Sequence, residues 1–201
     1  MLLCDDAYAP YARKRPDVVV RRVSELLAQL RADGAKLIVL ASPQASLDAL
    51  ALQAASRVAL IGLEAPIAQA GAACDGGAVA AVVEAGSMRG RLFGQALRRQ
   101  RGASAIHVEE WVLDEATVAL RVPSLMDAGV GALALTSPGL SRLRPAIEAA
   151  AGGALAIVEA GDVAALRAER ALRHGGLLVR RQRAGRLVTL SSNPQRAAAL
   201  L

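Results

Sequence analysis

Two stretches of the chain repeat one pattern, in which a short aliphatic run ends in Ser-Pro and a second serine follows. Residues 37–46 read LIVLASPQAS, and residues 133–141 read LALTSPGLS. The aliphatic run suits a strand buried on both faces, serine is a favoured N-cap, and proline is tolerated at the first helical position. Each stretch therefore predicts a strand that runs directly into a helix. Ligands bind outside the carboxyl ends of parallel strands, so the two loops predict two lobes that share a cleft.

The rest of the chain continues this alternation. Aliphatic runs typical of buried strands lie at residues 2–4, 37–41, 58–63, 79–83, 105–108, 132–135 and 155–158. Segments with the helical spacing of apolar residues lie between them, at about residues 16–34, 43–55, 66–73, 87–100, 115–128, 140–151 and 162–173. Short connections between such units force parallel strands with right-handed crossovers. We therefore expect an α/β fold of two similar doubly wound parallel-sheet lobes, related by a pseudo-twofold axis.

Two glycine-containing breaks suggest where the lobes divide. The first is Asp75-Gly76-Gly77, and the second is His174-Gly175-Gly176. After the second break, aliphatic residues at 177–180 and 186–190 flank a turn-like segment, which predicts a β-hairpin followed by a short helix after Pro194. We expect residues 1–77 and 177–201 to form one lobe and residues 78–176 to form the other.

The composition restricts the classes of partner. The formal net charge is +6, yet only 2% of the residues are aromatic, which leaves little material for stacking nucleic-acid bases. Most of the basic residues are arginines that are scattered or lie on predicted helix faces, as on a solvated surface. Contact with nucleic acid or another anionic partner stays open as the alternative.

The cysteines and the first residues of the chain indicate the cellular compartment and whether a metal site is expected. Cys4 and Cys74 are too few for a disulfide framework, and they have no metal-ligand spacing with His107 or His174. No apolar run is long enough to span a bilayer, and the first aliphatic residues meet two aspartates at once, unlike a signal peptide. We expect a cytoplasmic protein with no metal and no membrane contact.

Short segments along nearly the whole chain match the motifs of one known family. Residues 5–12 are similar to its GDTA-x-x-PYG loop, and residues 37–46 match its IVIACNTAS segment. Four further segments follow in the same order: residues 61–66 for IGVIEP, 79–93 for IGVIAT-x-x-TV-x-S-x-AY, 133–147 for LILGCTHYPLLKPLI and 191–194 for TGDP. The chain therefore resembles the glutamate racemase family of the aspartate/glutamate racemase superfamily.

The resemblance implies a specific chemistry. Members of the family interconvert L- and D-glutamate without a cofactor, and so supply D-glutamate for peptidoglycan. Two cysteines on opposite faces of the substrate α-carbon remove and return a proton. The resemblance places Ser42 and Ser137 at the two cysteine positions. Because a serine hydroxyl is a poor base unless a neighbouring base activates it, we expect a catalytically impaired member that needs no cofactor.

The family's other site residues are also altered. The substrate-binding positions that the resemblance implies are Pro10, Tyr11, Ala12, Pro43, Gln44 and Pro138. Pro43-Gln44 stand where the family has Asn-Thr, and Pro138-Gly139 where it has Thr-His. Glu84 stands where a small threonine is usual, and it places a negative charge near a site for an acidic substrate. Binding of a small anion such as glutamate at the two Ser-Pro helix starts therefore stays open, as does a cleft that binds nothing.

The family's opening strand, with its DSGVGG turn, has no counterpart before Met1. That strand would be central in the first sheet, so its absence predicts an exposed apolar face and two unpaired strand edges. Three outcomes stay open: a partner chain fills the gap, the lobe rearranges, or the chain begins at an internal methionine of a longer product.

Two other functions stay open beside the impaired racemase. One is an active racemase or isomerase of altered chemistry on a small acidic substrate, with Ser42 or Ser137 as nucleophile, although serine before proline at a helix start is more simply an N-cap. The other is a regulatory binding protein, because some family members are credited with contacting DNA gyrase. A homodimer is also compatible with the sequence.

Overall fold

The computed structural model describes residues 1–49, 52, 57–74, 77–85, 105–179, 185–193 and 195. Within these residues the strands are β1 (Leu2–Cys4), β2 (Leu37–Leu40), β3 (Ala59–Gly62), β4 (Ala78–Glu84), β5 (Ile106–Trp111), β6 (Val130–Leu135), β7 (Ala156–Glu159) and β8 (Thr189–Ser191). The helices are α1 (Pro16–Ala32), α2 (Pro43–Ala49), α3 (Ile67–Ala73), α4 (Glu115–Asp127), α5 (Arg144–Ala151) and α6 (Ala160–His174), with 3-10 helices at Tyr11–Arg13 and Leu140–Leu143. The predicted helix at 87–100, the turn at 182–184 and residues 196–201 lie outside the described part.

The strands form three sheets in which all pairs are parallel. The largest has the order β5-β4-β6-β7, and the two others pair β2 with β3 and β1 with β8. The predicted α/β class with parallel sheets is therefore confirmed. Parallel sheets are normally covered on both faces, so the positions of the helices define the lobes.

Helices cover both faces of the four-stranded sheet. On one face, Leu133 and Leu135 of β6 pack with Val122 of α4 and Ile147 of α5, and all four side chains are buried. On the other face, Ile67 of α3 packs against the small side chains of β4 and β6. The helix α3, which precedes the predicted boundary at residue 77, therefore covers the sheet of the second lobe.

The β2–β3 sheet is covered in the same way. Val19 and Val23 of α1 pack on Ile38 of β2, while α6 covers the opposite face through contacts such as Ala164 with Ile61. Arg167 of α6 also donates a hydrogen bond to the carbonyl oxygen of Gly62 at 3.2 Å. Because α6 contacts β7 as well, it joins the two lobes. The predicted lobe boundaries at residues 77 and 177 stay predictions.

The predicted β-hairpin near the end of the chain is wrong within the described residues. Residues 177–179 and 185–188 are not in strands, and β8 instead pairs in parallel with β1. The amide of Leu2 donates to the carbonyl oxygen of Val188 at 2.7 Å, and the amide of Ser192 donates to that of Cys4 at 2.9 Å. An aliphatic run indicates a strand but not the strand with which it pairs. Here β8 pairs with the edge of β1, which is distant in sequence.

The first lobe is interrupted between β1 and β2, which share no sheet. A cavity of about 750 Å³ is lined by residues of β1, β2 and α1. The exposed apolar sheet surface expected from the sequence is present, since the side chain of Val39 on β2 is 43% exposed. The three outcomes that the sequence left open all stay open.

Ser46 fastens the first Ser-Pro loop to the core. Its hydroxyl lies 2.7 Å from the carbonyl oxygen of Ser42 and 3.0 Å from that of Leu40, and it accepts a hydrogen bond from the amide of Leu63 at 2.9 Å. A Cβ atom on Gly62 would lie 2.9 Å from the Cβ of Ser46, so glycine is needed there for this approach.

We expect Ser46→Ala to lower the free energy of unfolding by about 1–3 kcal/mol, because buried backbone groups would lose their partner. Ser24→Ala is the matched control, since the Ser24 hydroxyl bonds only one carbonyl of its own helix, that of Val20. Urea unfolding of both variants measures the difference. Equal losses in the two variants would contradict the role assigned to Ser46.

Candidate functional site

Ser42 lies at the start of α2, as the sequence predicts. Its hydroxyl oxygen accepts a hydrogen bond from the amide of Ala45 at 3.3 Å, which is the geometry of an N-cap. Its carbonyl oxygen accepts a further bond from the amide of Ser46 at 2.9 Å. The predicted N-cap is therefore confirmed at this position, and the Ser42 hydroxyl is held by the backbone of its own helix.

Ser137 is bonded differently from Ser42. Its hydroxyl donates to the Oε1 atom of Glu84 at 2.5 Å, and the 3-10 helix that follows begins only at Leu140. The predicted N-cap is therefore wrong at Ser137. A carboxylate is a stronger hydrogen-bond acceptor than a neutral group, and β4, which ends at Glu84, is the neighbour of β6 in the sheet.

Gly139 leaves room for the Glu84 carboxylate. A Cβ atom at position 139 would lie 2.1 Å from the Oε1 of Glu84 and 3.3 Å from a methyl carbon of Leu113. Any larger residue at 139 would displace the carboxylate from Ser137. Glu84, Ser137 and Gly139 therefore form one interdependent group at the carboxyl ends of β4 and β6.

A second polar group, at the end of β1, is centred on Asp5. The hydroxyl of Tyr11 donates to its Oδ2 at 2.6 Å, and Arg22 of α1 donates to both carboxylate oxygens, from Nη2 at 2.6 Å and from Nε at 2.9 Å. The Asp5 side chain is only 7% exposed. A fork of this kind fixes the loop after β1 to α1.

The Asp5 group has a defined charge state at neutral pH. Burial acts to raise the pKa of the Asp5 carboxyl, but hydrogen bonds from Arg22, Tyr11 and Ser192 outweigh it and lower the pKa to about 2. Burial, followed by the hydrogen bond to Asp5, raises the pKa of Tyr11, so its phenol keeps its proton. The hydrogen bond to Asp5 also raises the pKa of Arg22. Both donors are thus already engaged with Asp5.

The structure places the predicted site residues in two groups. Tyr11 and Ser42 line the cavity together with Asp5, and Pro43 and Gln44 are the first two residues of α2. Pro10 is exposed and precedes the 3-10 helix that contains Ala12, whose side chain lies outside the description. Pro138 is exposed beside Ser137 in the second group.

The two cysteines are free thiols. Cys4 lines the same cavity as Ser42, whereas the Cys74 sulfur lies 3.2 Å from the carbonyl oxygen of Gly77. The described residues contain no group of three or more His, Cys, Asp or Glu side chains that could hold a metal ion. Among the helices described, none is both long and apolar enough to cross a membrane.

Arg22 is the residue that the sequence prediction missed. It lies three positions after Val19 and one before Val23, beside the buried stripe of α1. A charged side chain at the margin of an apolar stripe needs a partner of opposite charge, and Asp5 and Asp6 directly follow the first predicted strand. That combination was the available signal.

The chain is similar to known proteins, although no protein-family model matches it. It is 28% identical over 219 residues to the glutamate racemase of Deinococcus radiodurans, covering 100% of this chain and 76% of that protein. It is 29% identical over 196 residues to the glutamate racemase of Roseiflexus sp., covering 89% and 71%. The solved structure of Thermus thermophilus glutamate racemase in complex with beta-chloro-D-alanine superimposes with a TM-score of 0.72 at 26% identity, covering 98% of this chain and 79% of that one.

The two lobes of parallel strands, with polar groups at the strand ends, define the fold class of the aspartate/glutamate racemases. Within that class, the two curated relatives and the solved structure to which the chain is similar are glutamate racemases. The resemblance to glutamate racemases noted in the sequence is therefore confirmed, and so is the predicted fold class.

We expect Asp5→Asn to lower the free energy of unfolding by about 2 kcal/mol at pH 7, where the wild-type carboxylate is ionised and paired. The pKa of Asp5 is about 2 in the folded protein, below its ordinary value of 3.8. Its contribution is therefore complete above about pH 5 and is lost as the pH falls through about 4 towards 2. Urea unfolding at pH 7 and pH 3 should show the gap between variant and wild type shrinking.

Asp17→Asn is the control for this experiment, because the Asp17–Arg15 pair is exposed, with 64% and 82% of the two side chains accessible. We expect it to change stability by less than about 0.5 kcal/mol at either pH. An Asp5→Asn deficit that is the same at both pH values would show that the Asp5 charge is not what stabilises the loop.

Proposed function

We propose that the chain is a glutamate-racemase-like protein that has lost the two-thiol proton transfer of its family. The observation that carries this proposal is the hydrogen bond from the Ser137 hydroxyl to the Glu84 carboxylate. A thiolate position has been replaced there by a hydroxyl, and the adjacent space holds a carboxylate. The first thiol position has likewise become the N-cap of α2 at Ser42.

Proton abstraction from an amino-acid α-carbon needs a base that is appreciably ionised near neutral pH. A cysteine thiol has a reference pKa of about 8.5 and its surroundings can bring it into range, whereas an unactivated hydroxyl stays protonated. The bond from the Ala45 amide to Ser42 positions the hydroxyl oxygen but removes no proton. These considerations support the loss of racemisation at both positions.

Glu84 also acts against an acidic substrate. Two like charges 4 Å apart repel by about 4 kcal/mol at an effective dielectric constant of about 20. A substrate carboxylate that approached Ser137 would meet the Glu84 carboxylate directly. We therefore expect glutamate, the ligand class that the family suggests, to bind weakly.

Incubation with L-glutamate in deuterated water tests the proposal. We expect no α-deuteration and no D-glutamate above a protein-free control, measured by proton NMR and by chiral chromatography, while an active glutamate racemase serves as the positive control. The Cys4→Ala/Cys74→Ala variant belongs in the same series, because Cys4 lines the cavity beside Ser42. Deuteration that survives both cysteine substitutions would sink the proposal.

A second candidate function is an enzyme in which Ser137 is a nucleophile and Glu84 accepts its proton. The 2.5 Å hydrogen bond favours it, since a nucleophile and its base lie within hydrogen-bond reach. Its substrate would carry no carboxylate group near Ser137, because the carboxylate of Glu84 already lies there.

A fluorophosphonate probe separates the two candidates. The impaired racemase predicts no covalent label on the native protein. The second candidate predicts labelling that is lost in Ser137→Ala and Glu84→Gln and retained in Ser42→Ala. Mass spectrometry of the intact protein measures the label.

Three further expectations from the sequence analysis remain predictions that no contact in the structure supports. They are a cytoplasmic location, a homodimer and a regulatory contact with nucleic acid or DNA gyrase. A direct role in supplying D-glutamate for peptidoglycan would require the racemisation that we propose is lost.

A further inference from the structure

The Ser137 hydroxyl could be bonded in two ways, and the structure shows only one of them. It donates to the carboxylate of Glu84. The alternative is the N-cap bond that the hydroxyl oxygen of Ser42 accepts from the amide three positions later, that of Ala45. At the second loop the equivalent amide is that of Leu140, which instead donates to the Ser137 carbonyl oxygen at 3.2 Å. A feature beyond the Ser-Pro pair therefore selects the bond.

Thr136, directly before Ser137, is bonded twice to the backbone of β4. Its amide donates to the carbonyl oxygen of Val82 at 3.2 Å, and its hydroxyl donates to the same oxygen at 2.8 Å. A carbonyl oxygen has two lone pairs and can accept both bonds. The side chain of Val82 is fully buried. The residue that leads into the loop is therefore fixed to an ordered part of the core.

The Thr136 bonds continue the pairing of β4 with β6 beyond the end of β6. Val82 is the register partner of Leu135, the last residue of β6. Residues two positions apart on a strand lie on the same face, so two further steps in this register place Ser137 beside Glu84. The two side chains therefore meet as long as the register holds through position 136.

The backbone around Glu84 is held from its other side as well. The amide of Ala85 donates to the carbonyl oxygen of Trp111 at 2.8 Å, and Trp111 of β5 is the register partner of Glu84. Trp111 is itself fully buried. Because Glu84 is fixed in this way, the conformation of the loop at Ser137 decides whether the two side chains are bonded.

The first Ser-Pro loop has no equivalent of the Thr136 bond. Ala41 stands there at the position that corresponds to Thr136, and Ser42 is the N-cap of its helix. Proline follows the serine in both loops, so it does not account for the difference. What the first loop lacks is the hydroxyl before its serine, together with an acceptor for that hydroxyl on a neighbouring strand.

We propose that Thr136 is a positioning residue that directs the Ser137 hydroxyl to Glu84. The bond from its hydroxyl to Val82 carries the strand register into the loop and excludes the N-cap arrangement. The inference rests on the proposed function, in which the Ser137–Glu84 bond stands in the place of thiol chemistry. Without the Thr136 hydroxyl, the side chain at position 137 turns to the Leu140 amide and leaves the Glu84 carboxylate.

A thiol at position 137 reports its distance from Glu84. Ser137→Cys in the Cys4→Ala/Cys74→Ala background leaves one thiol in the chain, and its rate of alkylation by iodoacetamide follows the thiolate fraction. Thr136→Val removes the hydroxyl at similar side-chain volume. We expect it to speed alkylation at about pH 7.5 by about three- to tenfold, because the thiolate is no longer beside a carboxylate.

Two further substitutions at position 136 control for changes in packing. Thr136→Ser keeps a hydroxyl, and we expect it to leave the alkylation rate within about twofold of that with threonine. Thr136→Ala copies the residue of the first loop, and we expect it to act as Thr136→Val does. Near-ultraviolet circular dichroism of Trp111, the one tryptophan of the chain, shows whether each variant is folded.

Glu84→Gln separates positioning from a general loosening of the loop. With the charge removed, we expect Thr136→Val to speed alkylation by less than half as much as it does beside Glu84. A loosened loop would instead expose the thiol equally in both backgrounds, and equal acceleration would overturn the proposal.

The remaining outcomes distinguish this inference from the proposed function. If alkylation responds to Glu84→Gln but is unchanged by Thr136→Val and Thr136→Ala, Thr136 does not position the loop, and the proposed function stands. If alkylation does not respond to Glu84→Gln, the carboxylate does not act on position 137. That result would overturn both.

Discussion

The parallel direction of the strands is the constraint on which the candidate site depends. In the described part of the chain every strand pair is parallel, so the loops that follow neighbouring strands meet at one edge of each sheet. Asp5, Ser42, Glu84 and Ser137 all follow or end such strands. Their side chains form local groups because the parallel strands end at the same edge of a sheet, although the residues are far apart in sequence. Glu84 and Ser137 are 53 positions apart and share a hydrogen bond.

Periodicity alone was sufficient to predict most of the fold. The aliphatic runs before both Ser-Pro loops became β2 and β6, and the helical spacing after Pro16 became α1. The β-hairpin was wrong because local pattern carries no information on which edge a strand will join. The partner of β8 is β1, more than 180 residues away in the chain, and only tertiary packing decides such a choice.

The sequence predicted a side chain's hydrogen bond where it depends on local residues alone. It did not predict a bond that depends on a residue from another strand. The cap at Ser42 follows from serine and proline alone. The bond made by Ser137 depends on Glu84 from another strand and on the space left by Gly139. The sequence predicted a negative charge from Glu84 near the site. It did not predict that Glu84 accepts a hydrogen bond from Ser137. The Asp5–Arg22 fork was missed because it joins a loop to a helix face.

Glu84, Ser137 and Gly139 at the second loop depend on one another, so the loss of chemistry that we propose there involves more than one position. With glycine at 139, the Glu84 carboxylate reaches the position 137 side chain; with a larger residue, it could not stay there. Restoring a thiol alone would place it beside a fixed negative charge. Such a charge disfavours the thiolate, which is the form that proton abstraction needs.

The pKa of a thiol introduced by Ser137→Cys, in a Cys4→Ala/Cys74→Ala background, measures this coupling most directly. The pH dependence of its alkylation by iodoacetamide gives the value. We expect a pKa above the reference of about 8.5, which falls when Glu84→Gln is added. A pKa at or below about 7 with Glu84 in place would contradict the proposal that this loop has lost its capacity for thiolate chemistry.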